Sequence, residues 1–144
     1  MVDLRITDET AAVDVATVHR FLSESSTWAR GIPRHVVERS IANSLCFSGF
    51  VGDDQVAFAR VVSDYATFAY LVDVFVLPEQ RGKGFSKAMM AAVMAHPALQ
   101  GLRRFMLATS NAHGLYEQYG FTSPAKPQTL MERHFPDVYA FRAE

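Results

Sequence analysis

The chain has 144 residues, 49% of them hydrophobic and 20% charged, and a formal net charge of −1. That is one domain, residues 1–144, long enough to bury about two thirds of its unfolded surface. Near-neutral charge excludes nucleic-acid binding by bulk electrostatics, and a single cysteine, Cys46, excludes an internal disulfide or a cysteine-built metal cluster.

Leu4 and Ile6 alternate with polar neighbours as a short first strand. Thr10 is placed to cap a helix through about Ser23, with Val15, Val18 and Leu22 on one face. A polar loop, Glu24 to Ile32, carries the lone Trp28 and leads to Pro33, which suits the first turn of a helix over 33–44. Residues 45–52 and 55–63 form two strands joined at Gly52-Asp53-Asp54. The second is apolar on both faces except at Arg60, as expected of a central strand. Next comes the apolar run Leu71 to Leu77, interrupted by Asp73 and ended by Pro78. A glycine-rich basic turn, Arg81 to Lys87, follows, then a helix that stops before His96-Pro97. Residues 103–109 form a strand parallel to the 71–77 run, because a helix crosses over between them. Asn111 is placed to cap a short helix to about Tyr119, and Gly120 suits its C-terminal cap. Residues 121–125 and 129–134 read as closing strands. The aromatic C-terminus, from Phe135, packs on the core or on a second copy of the chain, which leaves room for a homodimer. The fold class is α/β, with a mixed, mostly antiparallel sheet.

Strand, glycine turn and helix together make an anion cradle. The first N–H groups of a helix lack internal partners and sit at the positive end of its dipole. No segment fits a G-x-x-x-x-G-K-[ST] phosphate loop. Gly82-Lys83-Gly84-Phe85-Ser86-Lys87 begins as a dinucleotide fingerprint but has Lys at its last glycine position. What remains is R-x-x-G-x-S at Arg81 to Ser86. About 30 residues on stands Leu115-Tyr116-Glu117-Gln118-Tyr119-Gly120-Phe121.

These two motifs, at this separation and in this order of elements, resemble the GNAT superfamily of acyl-CoA-dependent N-acyltransferases. The first fits [QR]-x-x-G-x-[GA] except at Ser86, and the second fits L-Y-x-x-x-G-F. The five histidines show no metal spacing, so no metal is expected. The resemblance implies acetyl-CoA as co-substrate and a primary amine acceptor on a small molecule or a peptide. It implies a V-shaped splay between two parallel middle strands, about four flanking helices, and pantetheine running along Val74, Phe75 and Val76. It further implies pyrophosphate held at Arg81, Gly82, Lys83, Gly84, Phe85, Ser86 and Lys87, with Asn111 nearby. Tyr116 would protonate the departing thiolate. Asp73, a carboxylate in an apolar strand, is a candidate general base. The alternative for Asp73 is a structural role, bonded to backbone N–H groups or to Arg60. Asp64, Glu24, Glu132 and His113 are further base candidates. Trp28, Tyr65 and Tyr70 would line the acceptor site; the alternative for Trp28 is a hydrophobic plug over the core, and for Tyr116 a helix aromatic that only packs on the core. A non-catalytic acyl-CoA-binding or partner-docking module is the alternative function. The N-terminus has no signal-peptide pattern and no apolar run reaches the roughly 20 residues that span a bilayer, so a cytoplasmic protein with no membrane or nucleic-acid partner is expected.

Overall fold

A computed structural model describes residues 3–141. Among these residues, five strands form one sheet in chain order: β1 (Arg5–Thr7), β2 (Leu45–Val51), β3 (Asp54–Ser63), β4 (Phe68–Val76) and β5 (Arg104–Leu107). Neighbours from β1 to β4 are antiparallel, and β4 and β5 are parallel. Four α-helices flank the sheet: α1 (Val15–Arg20), α2 (Arg34–Ala42), α3 (Phe85–Ala95) and α4 (His113–Glu117). The mixed, mostly antiparallel sheet expected from the sequence is the one observed. Its parallel pair follows from the α3 crossover, since a tight turn can only reverse a strand.

Both faces of the sheet are buried. Phe47, Val61, Leu71 and Val76 pack with Phe85, Met89, Met90 and Val93 of α3 on one face. Cys46, Phe58 and Phe75 pack with Val18 of α1, Leu22 just after it, and Val37 and Ile41 of α2 on the other. Each such side chain contributes roughly 1.5–3 kcal/mol by leaving water. Two-sided burial explains why β3 has no polar face.

Three elements differ from what the sequence predicts. Thr10 opens only a 3-10 turn, Thr10–Ala12, and α1 begins after Asp14. Asp14 is the stronger cap: Oδ1 accepts the Thr17 N–H at 3.2 Å and Oδ2 the Thr17 hydroxyl at 2.7 Å. The helix then widens into a π turn, Phe21–Ser25. Second, α4 is capped at Ala112, not Asn111, and the Ala112 N–H is taken by Thr109 Oγ1 at 3.0 Å. Third, residues 121–125 and 129–134 form no strand. Pro124 and Pro127 have no N–H to give a ladder, and Pro127–Thr129 curls into a 3-10 turn instead. No residue from 122 to 138 is buried, so no alternating face exists to dock a strand. The C-terminal segment regains the body at Tyr139, which packs on the α1–α2 core beside Gly31.

Candidate active site

The site is organised by β4. Its pairing with β5 stops at Leu71 and Leu107, yet β4 continues to Val76. The two strands therefore part company where the resemblance implies a splay. Just past that point β4 carries a bulge. Phe58 faces Phe75 and Arg60 faces Val72, so Asp73 and Val74 together oppose Ala59. Asp73 takes the left-handed conformation, φ 55°. For a residue with a Cβ this costs about 1–2 kcal/mol, least for Asp and Asn.

Beyond Val76, a 3-10 turn (Pro78–Gln80) leads into the glycine loop. Gly82 and Gly84 both have φ near 80°, and Gly84 is the N-cap residue of α3. The first ladder bond of α3 runs from Ala88 N–H to the Gly84 carbonyl at 3.1 Å. The N–H groups of Phe85, Ser86 and Lys87 thus precede any internal acceptor. They border a cavity of about 350 Å3 lined by Val76, Gln80, Arg81, Gly82, Ser86 and Leu115, among others. Glycine backbone, helix N-terminus and basic side chains around one cavity fit the phosphates of a CoA thioester. Phe85 offers only its backbone, because its ring is buried in the core. Arg81 is partly committed: its Nε donates to the Val76 carbonyl at 3.0 Å. That carbonyl keeps a second lone pair. Lys83 Nζ bonds Gln80 Oε1 at 2.8 Å, and Lys87 is exposed.

Leu115 brings α4 to this cavity, and Tyr116 is its neighbour in sequence. The spacing Y-x-x-x-G-F has a mechanical reason. Gly120, φ 89°, ends the helix. Its N–H bonds the Glu117 carbonyl at 3.1 Å, and the Phe121 N–H bonds the Tyr116 carbonyl at 3.3 Å. This is a Schellman cap, as the sequence predicts for Gly120. It folds Phe121 back edge-on to the Tyr116 ring, centroids 6.2 Å apart. Tyr116 is 9% exposed, and burial pushes its phenol above its ordinary value. Its hydroxyl is not among the buried unpaired atoms, of which the described residues have one, Ser48 Oγ. The ring is therefore held by the core while the oxygen reaches solvent, still protonated. Tyr119 acts differently. Its hydroxyl donates to the Lys87 carbonyl at 3.0 Å and ties α4 to the first turn of α3.

At the bulge, both oxygens of Asp73 are engaged. Oδ1 accepts from Trp28 Nε1 at 2.7 Å and Oδ2 from Arg60 Nε at 2.9 Å. Arg60 also donates to Ser44 Oγ, just after α2, at 3.0 Å. This is the structural role that the sequence leaves open beside general-base work. Bonds to charged groups are worth about 1.5–3 kcal/mol each, enough to offset the backbone strain at Asp73. Trp28 lies beside Phe21 (6.4 Å between centroids), and Phe21 stacks on Phe75 at 4.0 Å.

The remaining candidates do not join this cluster. Among the described residues, neither Tyr65 nor Tyr70 has a ring contact with Trp28. Tyr65 is exposed in the β3–β4 loop with φ 62°, and Tyr70 is half-buried on β4. Asn111 is exposed. Asp64 organises its own loop, accepting from Thr67 and from the Ala66 and Phe68 backbone. Those bonds hold its carboxyl well below the usual range, led by the Thr67 hydroxyl, so it is a poor base. Glu24, His113 and Glu132 are exposed. Sequence reasoning misses Ser44, Phe21, Gln80 and Leu115. For Leu115 the signal is present, one position before Tyr116.

The family model for acetyltransferases of the GNAT family matches residues 15–121. This chain belongs to the GNAT acetyltransferase family. A GNAT-family structure from Xanthomonas campestris pv. campestris is 61% identical over 97% of this chain and 99% of its own, with TM-score 0.95. The curated protein "Putative acetyltransferase FG08082" of Gibberella zeae is 29% identical over 79% of this chain and 76% of its own length. A predicted acetyltransferase of Clostridium acetobutylicum, solved with acetyl-CoA, shares the fold alone: 15% identity, TM-score 0.63, over 93% of this chain and 96% of its own. The GNAT fold here is α/β, with the parallel β4–β5 pair inside a mostly antiparallel sheet. Membership of this family indicates acyltransferase activity. No helix of the described residues is long and apolar enough to cross a membrane.

Proposed function

We propose that this GNAT protein transfers the acetyl group of acetyl-CoA to a primary amine, on a small molecule or a peptide, by direct attack in a ternary complex. The observation that carries this reading is the cavity between the glycine loop, the end of β4 and α4, with Tyr116 one residue from its wall. Acetyl-CoA supplies an activated acyl carbon and a thiolate leaving group. The chain's own residues supply position and a proton. The N–H groups at Gly82 to Lys87 bind pyrophosphate, with Lys83, Lys87 and Arg81 adding positive charge. Backbone groups of Val74, Phe75 and Val76, which have no β5 partner, hold the pantetheine amides in the manner of an added strand. An N–H there polarises the thioester carbonyl. Tyr116 Oη hands its proton to the sulfur as the bond to carbon breaks, and the proton shed by the attacking nitrogen passes to water, from which the phenol is restored. Burial suits Tyr116 to this role, because it keeps the phenol neutral. The amine enters from the side of Trp28.

The test is acetyl-CoA with a panel of primary amines, following free thiol. Thiol release that requires an amine supports the enzyme. Micromolar acetyl-CoA binding by calorimetry without turnover on any amine would overturn it in favour of a non-catalytic acyl-CoA-binding module.

A further inference from the structure

Two one-residue irregularities meet at a single hydrogen bond. The π turn at Phe21–Ser25 widens the end of α1 and feeds the loop that carries Trp28. Ser26 fixes that loop: it is buried, donates to the Leu22 carbonyl at 2.6 Å and accepts the Ala29 N–H at 3.0 Å. The β4 bulge sends Asp73 out of the regular alternation, toward the same corner. The Trp28–Asp73 bond, 2.7 Å, joins residues 45 apart in sequence. Irregularities of both kinds recur at functional sites because they re-aim side chains.

The corner has an unusual division of labour. Asp73 is 8% exposed and Trp28 is 50% exposed. The carboxylate is enclosed, with one oxygen on Arg60 and the other on the indole. The indole is held at its nitrogen and at its Phe21 edge, and its remaining surface faces out. With each oxygen engaged by one donor and the residue 8% exposed, the Asp73 carboxylate presents little surface to an incoming amine. A tethered, half-exposed indole immediately beside the bulge does present a surface to one.

We propose that Asp73 is a positioning residue rather than the general base. Through its bond to Trp28 Nε1, and itself braced by Arg60 and Ser44, it fixes the indole as a wall of the amine-acceptor site. This proposal rests on the acetyltransferase reading for the words "acceptor site", but the tether itself does not.

Trp28 is the chain's single tryptophan, so fluorescence excited at the red edge, where the five tyrosines do not absorb, reports on it alone. Asp73→Gly removes the tether while suiting the left-handed backbone at that position. The expected result is a red-shifted emission, faster quenching by acrylamide, and a rise of about tenfold in KM for the best amine of the panel, with the acetyl-CoA Kd within about twofold of wild type. Asp73→Asn keeps a carbonyl oxygen for Trp28 and tolerates the same φ. Because that one oxygen cannot take the place of both the oxygen on Trp28 and the oxygen on Arg60, it is expected to recover part of the emission and part of the amine KM, more than Asp73→Gly does. Trp28→Phe, which leaves β4 untouched, is expected to reproduce the KM rise of Asp73→Gly. Unchanged emission and quenching in a folded Asp73→Gly would overturn the tether and leave the acetyltransferase standing. An Asp73→Asn protein that loses kcat by a factor of about 100 without a change in amine KM would overturn the positioning role in favour of a base. Turnover with no amine at all would sink the acetyltransferase, and the acceptor wall with it, while the fluorescence would still judge the tether.

Discussion

The two ends of the β4 unit hold opposite kinds of polar chemistry. At the loop end, the donors are backbone N–H groups around a cavity, and both left-handed residues, Gly82 and Gly84, are glycines. At the bulge end, the left-handed residue is Asp73, and its side chain closes on Arg60 and Trp28. The loop end is built from conformation and left open for an anion. The bulge end is built from side chains that satisfy one another. Substitutions should therefore act through backbone shape at the first and through partner loss at the second.

The largest expected effect lies on the open side. Tyr116→Phe keeps the ring, the Phe121 contact and the Schellman cap but deletes the proton donor. General acids contribute about 10²–10⁴-fold, so kcat should fall by about 10²–10³ while calorimetric affinity for acetyl-CoA stays within about twofold of wild type. Unchanged turnover would remove Tyr116 from the mechanism and leave only its packing role.

The next effect belongs to the closed side. Burial, offset in part by Arg60 and reinforced by Asp73, pushes the Cys46 thiol from 9.0 up to about 11. The folded value lies above the unfolded one. The associated stability is complete below about pH 9 and disappears as pH rises toward 11, a loss of about 2–3 kcal/mol. Urea unfolding across that window should show the decline in wild type and a visibly flatter profile in Cys46→Ala. Equal slopes would mean that the thiol is better solvated than this packing implies.

The smallest effect sharpens the contrast most. A Cβ at Gly84 would meet no atom within 4 Å, so Gly84→Ala creates no clash. It is penalised only by its φ of 80°, a cost of about 1–2 kcal/mol. Stability should drop by about that amount, and acetyl-CoA affinity should weaken about tenfold as the loop relaxes. Wild-type affinity would show that the cradle does not depend on backbone shape.

This contrast also explains what is legible in the sequence. The glycine loop, the start of α3, the Gly120 cap and the β2–β3 hairpin are local: each is specified by neighbours within a few residues. The structure has the loop, the cap and the hairpin where the sequence predicts them, while α3 begins at Phe85, three residues before the Ala88 start that the sequence predicts. The bulge corner joins residues from the α1–α2 loop, the end of α2, β3 and β4, and no local rule brings those together. One trace is present. It is Asp73 itself, a carboxylate inside an otherwise apolar run, and in the structure the positions facing the α3 core shift from Leu71 to Val74 and Val76 across it. The C-terminal strands expected from the sequence fail for a different reason. Residues 121–134 contain hydrophobic side chains at plausible spacing, but two prolines deny the ladder its donors, and the segment lies exposed, with Met131 98% accessible.

The π turn and the β bulge each amount to one residue more than a regular element would use. The geometry of the Trp28 corner is thus encoded in chain length as much as in residue identity. A substitution scan would find Asp73 and Trp28 but would pass over Phe21–Ser25 and Val74 as ordinary packing positions. Removing any one residue from either element would restore a perfect helix or a perfect ladder. It would also rotate one half of the corner away from the other. A one-residue deletion in either element is therefore expected to disturb the Trp28 corner more than a conservative substitution there.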